Sequence, residues 1–153
     1  GVHVIGVSRG AQGKPHADEC VAVADLASVL ARADYIVLTA PQTAETRHLF
    51  GARTFAACKK GAILINVARG GLIDQMALAE ALKSGLIGAA GLDVTDPEPL
   101  PADHPLWDCP NLIISPHVAG PSGAKGRERL ADFVVENMAR YVNGEQATHI
   151  VDL

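Results

Sequence analysis

Residues 62–67 read Ala-Ile-Leu-Ile-Asn-Val, an almost unbroken aliphatic run with Gly61 ahead of it and Arg69-Gly70-Gly71 behind it. So short a run, with no polar alternation, is the pattern of a strand buried on both faces, and such strands belong to parallel sheets covered by helices. Hydrophobic residues make up 48% of the chain but aromatic ones only 4%, so the core rests on Ala, Val, Leu and Ile. The run at 62–67 is therefore read as a central strand.

The flanking sequence repeats the theme. Val2 to Val7 reads as a first strand, followed by a loop rich in Gly, Pro and polar residues from Ser8 to Glu19. Asp25 precedes Leu26, Val29 and Leu30 at helical spacing and is expected to be an N-cap. Tyr35 to Thr39 is the next strand, closed by Pro41, and Thr43 to Cys58 holds short helical pieces. Asp74 is placed to cap a helix from about Gln75 to Ser84, with Gly85 where a left-handed residue ends it. Ala89 to Val94 and Leu112 to Ser115 are further strands, separated by a loop stiffened by Pro97, Pro99, Pro101, Pro105 and Pro110. A long helix is expected over Ser122 to Val142, with Leu130, Phe133, Val134, Asn137, Met138 and Tyr141 on one face, stopped by Gly144. Alternating strands and helices predict an α/β fold with a doubly wound parallel sheet.

A chain of 153 residues suffices for one domain. Its net charge of -4 offers no basic footprint for nucleic acid, and no apolar run is long enough to cross a bilayer. Cys20, Cys58 and Cys109 are odd in number and widely spaced, which argues for plain thiols and a reducing, cytoplasmic setting rather than a disulfide framework. None of them stands at metal-ligand spacing with another Cys or with a His, so no metal site is expected.

Ligands of doubly wound sheets collect at the carboxyl ends of the strands. Ser8-Arg9, Asn66 to Gly71, Asp93 to Glu98 and Ser115 to Gly120 all fall at such ends. Arg69 reads either as a surface arginine or, with two glycines letting the backbone approach a ligand, as a two-pronged grip for a carboxylate. His117, in a loop directly after a strand, is either structural or a proton donor and acceptor near neutral pH. Glu98 lies between Pro97 and Pro99; it is a solvated loop acid, or a carboxylate that stabilises an imidazolium beside it. Asp93 ends a buried strand, where capping is the rival explanation.

Three segments carry a resemblance: Ile65-Asn66-Val67-Ala68-Arg69-Gly70-Gly71; Gly91-Leu92-Asp93-Val94 with Glu98-Pro99; and Ser115-Pro116-His117-Val118-Ala119-Gly120. In order and spacing they resemble the signature blocks of the D-isomer-specific 2-hydroxyacid dehydrogenases, and the resemblance extends over essentially the whole chain, including Pro41 through Leu49 and Cys58-Lys59-Lys60-Gly61. It implies a Rossmann-like sheet and hydride transfer between NAD(P)H and a small 2-keto or 2-hydroxy acid such as glyoxylate or hydroxypyruvate. Arg69, Glu98 and His117 would be the catalytic set: Arg69 binding the substrate carboxylate, His117 moving the proton, Glu98 orienting His117. Asp93 would hold the nicotinamide carboxamide, while Ala40, Val67 and Ala68, with Arg69 and His117 to Gly120, would border the dinucleotide. A homodimer of the full-length protein is a further implication.

Two departures stand out. The family's G-x-G-x-x-G fingerprint is absent, and Gly1 resembles the glycine closing the helix that follows it. The resemblance thus implies a sheet lacking its first βα unit and the substrate domain, with residues 1–120 a partial NAD(P)-binding domain and 121–153 a helix and tail returning toward the substrate domain. Secondly, where NAD-using relatives place an acid after the first strand, this chain has Ser8 followed by Arg9. Arg9 can pair with the 2'-phosphate of NADP, which favours NADP over NAD; a merely solvated Arg9 is the other reading. Alternatives of a different class are a dinucleotide-sensing binding protein related to transcriptional corepressors, and an inactive fragment on the same fold.

Overall fold

The computed structural model describes residues 1–11, 13, 15–120 and 123–150. They form β1 (Ile5–Ser8), β2 (Glu19–Ala22), α1 (Leu26–Leu30), β3 (Tyr35–Leu38), α2 (Ala52–Ala56), β4 (Ala62–Asn66), α3 (Gln75–Lys83), β5 (Ile87–Leu92), β6 (Leu112–Ile114) and α4 (Ala124–Val142). Every strand pairing is parallel. Four strands form one sheet in the order β3-β4-β5-β6, and β1 and β2 form a second. The chain divides into two compact units, Gly1–Pro116 and His117–Leu153.

Within the first unit the aliphatic run at 62–67 becomes β4, flanked on both sides as a central strand must be. Registers Leu38↔Asn66 and Asn66↔Leu92 bring Ile36, Leu38, Leu64, Ala90 and Leu92 to one face of the sheet. That face meets Leu78, Ala79 and Leu82 of α3, Phe55 of α2, and Phe50, Leu72 and Ile73 from the connections, in one continuous apolar core. Phe50 and Phe55 contribute an inclined ring pair at 6.1 Å. The opposite face is open: Tyr35, Val37 and Ile113 are 64%, 54% and 75% exposed.

Asp74 caps α3 as expected, its Oδ1 accepting from the N–H groups of Met76 and Ala77, both at 3.1 Å. Gly85 follows that helix at φ +71°, a conformation costly for residues with a Cβ. Four expectations need correcting, one being the strand expected over Ala89 to Val94, which runs over Ile87–Leu92. The first strand begins at Ile5 rather than Val2. Glu19–Ala22, part of a stretch read as loop and connector, is a strand, completing β1 through the register Ile5↔Glu19 to Ser8↔Ala22. Asp25 precedes α1 without capping it: its side chain makes no cap hydrogen bond, and Ser28 Oγ donates to its carbonyl at 2.7 Å. The physical reason is a 3-10 turn over Val23–Asp25 that leads straight into the helix.

In the second unit α4 carries Leu130, Phe133, Val134, Met138 and Tyr141, all exposed. Ser122, its expected first residue, lies outside the described residues. Asn137 ties the following segment back to the helix, accepting from Thr148 N–H at 2.8 Å and donating to Thr148 Oγ1 at 3.2 Å. Among the described residues no helix is long and apolar enough to cross a membrane.

Candidate functional site

The carboxyl ends of β4 and β5 bring two loops together in the first unit. At the end of β4, Asn66 is fully buried, and its side chain shapes the loop that follows: Nδ2 donates to the Arg69 carbonyl at 2.8 Å, and Oδ1 accepts from Ala68 N–H at 3.1 Å. Its own carbonyl accepts from Asp93 N–H at 2.9 Å, joining this loop to the end of β5. A polar residue closing an aliphatic strand was the sequence signal for this role. Val67 and Arg69 are exposed and Ala68 is half-buried. Arg69 Nη1 donates to the Ala68 carbonyl at 2.8 Å, engaging one of its five N–H donors and fixing how the guanidinium leaves the backbone.

Beyond Arg69 the chain passes beneath the second loop. A Cβ on Gly70 would stand 2.1 Å from the Thr95 carbonyl carbon and oxygen and 2.6 Å from Asp96 N. The arginine turn can pack against the backbone of the Glu98 loop only because this residue has no side chain. Thr95 Oγ1 donates to the Pro97 carbonyl at 3.0 Å, and Arg47 pairs with Asp96 at 3.2 Å. Glu98 is exposed on this loop, with the Asp96–Pro97 and Glu98–Pro99 peptides both cis. Asp93 is buried at the end of β5, accepting from Ser115 Oγ at 2.6 Å. That bond ties the end of β5 to the residue after β6.

Ser8 is half-buried at the end of β1 and Arg9 is exposed beyond it, while Ala40 is half-buried after β3. His117 opens the second unit, one residue past Pro116; it is exposed, with φ +53°, a left-handed backbone that His adopts more readily than most residues and that His16, His48 and His149 share. Gly120 is exposed in the same segment. The first unit therefore packs the turn after Arg69 against the loop that carries Glu98 and joins the end of β4 to Asp93 at the end of β5, while His117 follows β6 along the chain. Residues that the sequence reading passed over are Gln75, Asp96 and Arg47, which fix the Glu98 loop, and Gln42, whose side chain lies against Gly71. No short-range pattern links them, since Arg47 and Gln75 lie far from Asp96 in sequence.

The three cysteines are free thiols. None is in a disulfide, and burial pushes the Cys58 thiol up to about 11 and raises that of Cys109. Among the described residues there is no cluster of metal ligands.

Small apolar side chains at Ala40, Val67 and Ala68 and the hydrogen-bonded carboxylate of Asp93 stand just past the carboxyl ends of their strands, where ligands of such sheets bind. Parallel strands covered by helices, with the candidate residues at the carboxyl ends of the strands, are the layout of a Rossmann-like domain. The profile of the family described as D-isomer specific 2-hydroxyacid dehydrogenase, NAD binding domain, matches residues 1–119. This chain belongs to that family.

Its relatives agree. A glyoxylate/hydroxypyruvate reductase B of Pectobacterium atrosepticum is 44% identical over 128 residues, covering 84% of this chain and 40% of the reductase. The chain thus spans well under two thirds of that relative. A D-isomer specific 2-hydroxyacid dehydrogenase of Xanthobacter autotrophicus, solved with NADPH and MES, superposes with a TM-score of 0.84 at 40% identity, over 97% of this chain and 60% of that one. An NADPH-dependent glyoxylate/hydroxypyruvate reductase of Sinorhizobium meliloti, solved with NADP and sulfate, gives 0.85 at 34% identity, over 99% and 48%.

Proposed function

We propose that the protein carrying this domain is an NAD(P)-dependent oxidoreductase of small 2-keto and 2-hydroxy acids of the glyoxylate or hydroxypyruvate kind, specific for the D isomer. The observation that carries the reading is the interlock of the Arg69 turn with the Glu98 loop through Gly70. Two segments far apart in sequence are held against each other at the ligand-binding end of a parallel sheet.

The nicotinamide, when bound, supplies or accepts the hydride. Arg69 grips the substrate carboxylate with its guanidinium fork and draws electron density from the keto oxygen. His117 gives its proton to that oxygen as the alcohol forms, and takes it back in the reverse direction. Glu98 orients His117 and stabilises its imidazolium form. Asp93 receives the carboxamide, and Ala40, Val67, Ala68 and the segment to Gly120 border the ring. Ser8 and Arg9 meet the adenosine end, where Arg9 pairs with a 2'-phosphate and favours NADP over NAD; the NADP and NADPH complexes of relatives support this preference. Residues 121–153 return toward a substrate-binding domain, and the full-length protein is a cytoplasmic homodimer.

The test follows NADPH and NADH absorbance in the complete protein with glyoxylate, hydroxypyruvate and pyruvate. Replacing the proton carrier in His117→Ala should lower kcat about 100- to 10,000-fold. Arg69→Ala should lower kcat/KM with the loss centred on the keto acid. Tight dinucleotide binding without reduction of any keto acid would overturn the enzymatic reading.

A further inference from the structure

The Glu98 loop is fastened by a side chain that no sequence motif marks. Gln75, the first residue of α3, is only 8% exposed and meets the backbone of Asp96 at two points. Its Nε2 donates to the Asp96 carbonyl at 2.6 Å, and its Oε1 accepts from the Asp96 N–H at 3.1 Å. A carboxamide presents a donor and an acceptor side by side, so it can satisfy both groups of one peptide residue at once. Asp96 is gripped a third time through its carboxylate, by Arg47.

These contacts reference two loops to one helix. From Arg69 the chain runs through Gly70 and Gly71 to Asp74, whose carboxylate caps α3 immediately before Gln75. Glu98 lies two residues past Asp96. The helix start thus receives the arginine turn through the chain and the glutamate loop through the amide. We propose that Gln75 is a positioning residue, holding Asp96 and with it the Pro97-Glu98-Pro99 segment in register with Arg69. The inference rests on the roles proposed for Arg69 and Glu98. Its side-chain bonds go to the Asp96 backbone, and it acts by fixing where Glu98 stands. Positional control of this kind is felt in turnover, because a displacement of about 1 Å at a reacting group can cost about 100-fold.

The experiment compares Gln75→Met, Gln75→Glu and Glu98→Gln in the complete protein, reading kcat and KM for the keto acid and Kd for NADPH. Met keeps the length and burial of the side chain but removes both hydrogen bonds. It should lower kcat about 10- to 100-fold while leaving Kd for NADPH within about twofold. Gln75→Glu keeps the acceptor for the Asp96 N–H but turns a second acceptor toward the Asp96 carbonyl, so it should lower kcat as Gln75→Met does. A Met variant with wild-type kcat overturns the inference, as does a loss spread equally over kcat and NADPH affinity, which marks general loosening. Where Glu98→Gln is crippled and Gln75→Met is not, the inference alone fails. Where Glu98→Gln turns over like the wild type, or the wild type itself is inactive, the reading beneath it fails and the inference falls too.

Discussion

At the scale of single residues, the arrangement depends on one missing side chain. Gly70 sits so close to Thr95 and Asp96 that any Cβ would overlap backbone atoms, which cannot swing aside as a flexible side chain could. Gly70→Ala should therefore push the Glu98 loop off the Arg69 turn and cost about 1–3 kcal/mol, the usual price of overpacking. Urea unfolding would read the loss, and kcat of the complete protein should fall more than stability alone explains. A variant as stable and as active as the parent would sink the argument. This position was half legible in the sequence. Arg69-Gly70-Gly71 after an aliphatic strand announced a backbone in close approach, but the thing approached lay at Thr95, beyond a helix and a strand. Gln75 and Arg47 were illegible for the same reason: their partner is Asp96, and only folding makes the three neighbours.

At the scale of elements, legibility followed length and burial. β4 was plain because Leu64 and its neighbours are aliphatic and the strand is flanked on both sides. α3 was plain because Asp74 and Gly85 punctuate it. β2 was missed: Glu-Cys-Val-Ala is four residues without alternation, and its pairing with β1 is a long-range fact. The helical layer over the sheet also carries a pH signature. Cys58, just after α2, is buried and donates to the Thr54 carbonyl at 3.3 Å, and its thiol is pushed up from 9.0 to about 11 by loss of water. The folded state holds that proton more tightly than the unfolded chain, so this contribution to stability is full below about pH 9 and is lost as pH rises toward about 11. Unfolding midpoints measured from pH 8 upward should fall less steeply in Cys58→Ala than in the parent. Parallel curves would show that the thiolate is tolerated in the folded core.

At the scale of the whole molecule, the two sheets bear on how the chain behaves in solution. β1 pairs only with β2, and β3 only with β4, so each presents an unpaired edge among the described residues. In the strand order 3-2-1-4-5-6 of doubly wound sheets, the first strand belongs between these two edges. Beside the β3 edge, Tyr35 and Val37 turn apolar side chains to solvent. Open edges next to exposed apolar residues template pairing with other chains. The 153-residue chain alone should therefore associate with rising concentration in sedimentation experiments, and a charge on the open face, as in Val37→Lys, should weaken that association. A further strand between β1 and β3 would occupy both edges, and in a longer protein that supplies one the backbone amides of β1 and β3 should exchange with solvent far more slowly than in the 153-residue chain. A chain that stays monomeric alone, with those amides already protected, would mean that the edges are closed by other means and that the middle of the sheet needs no further strand.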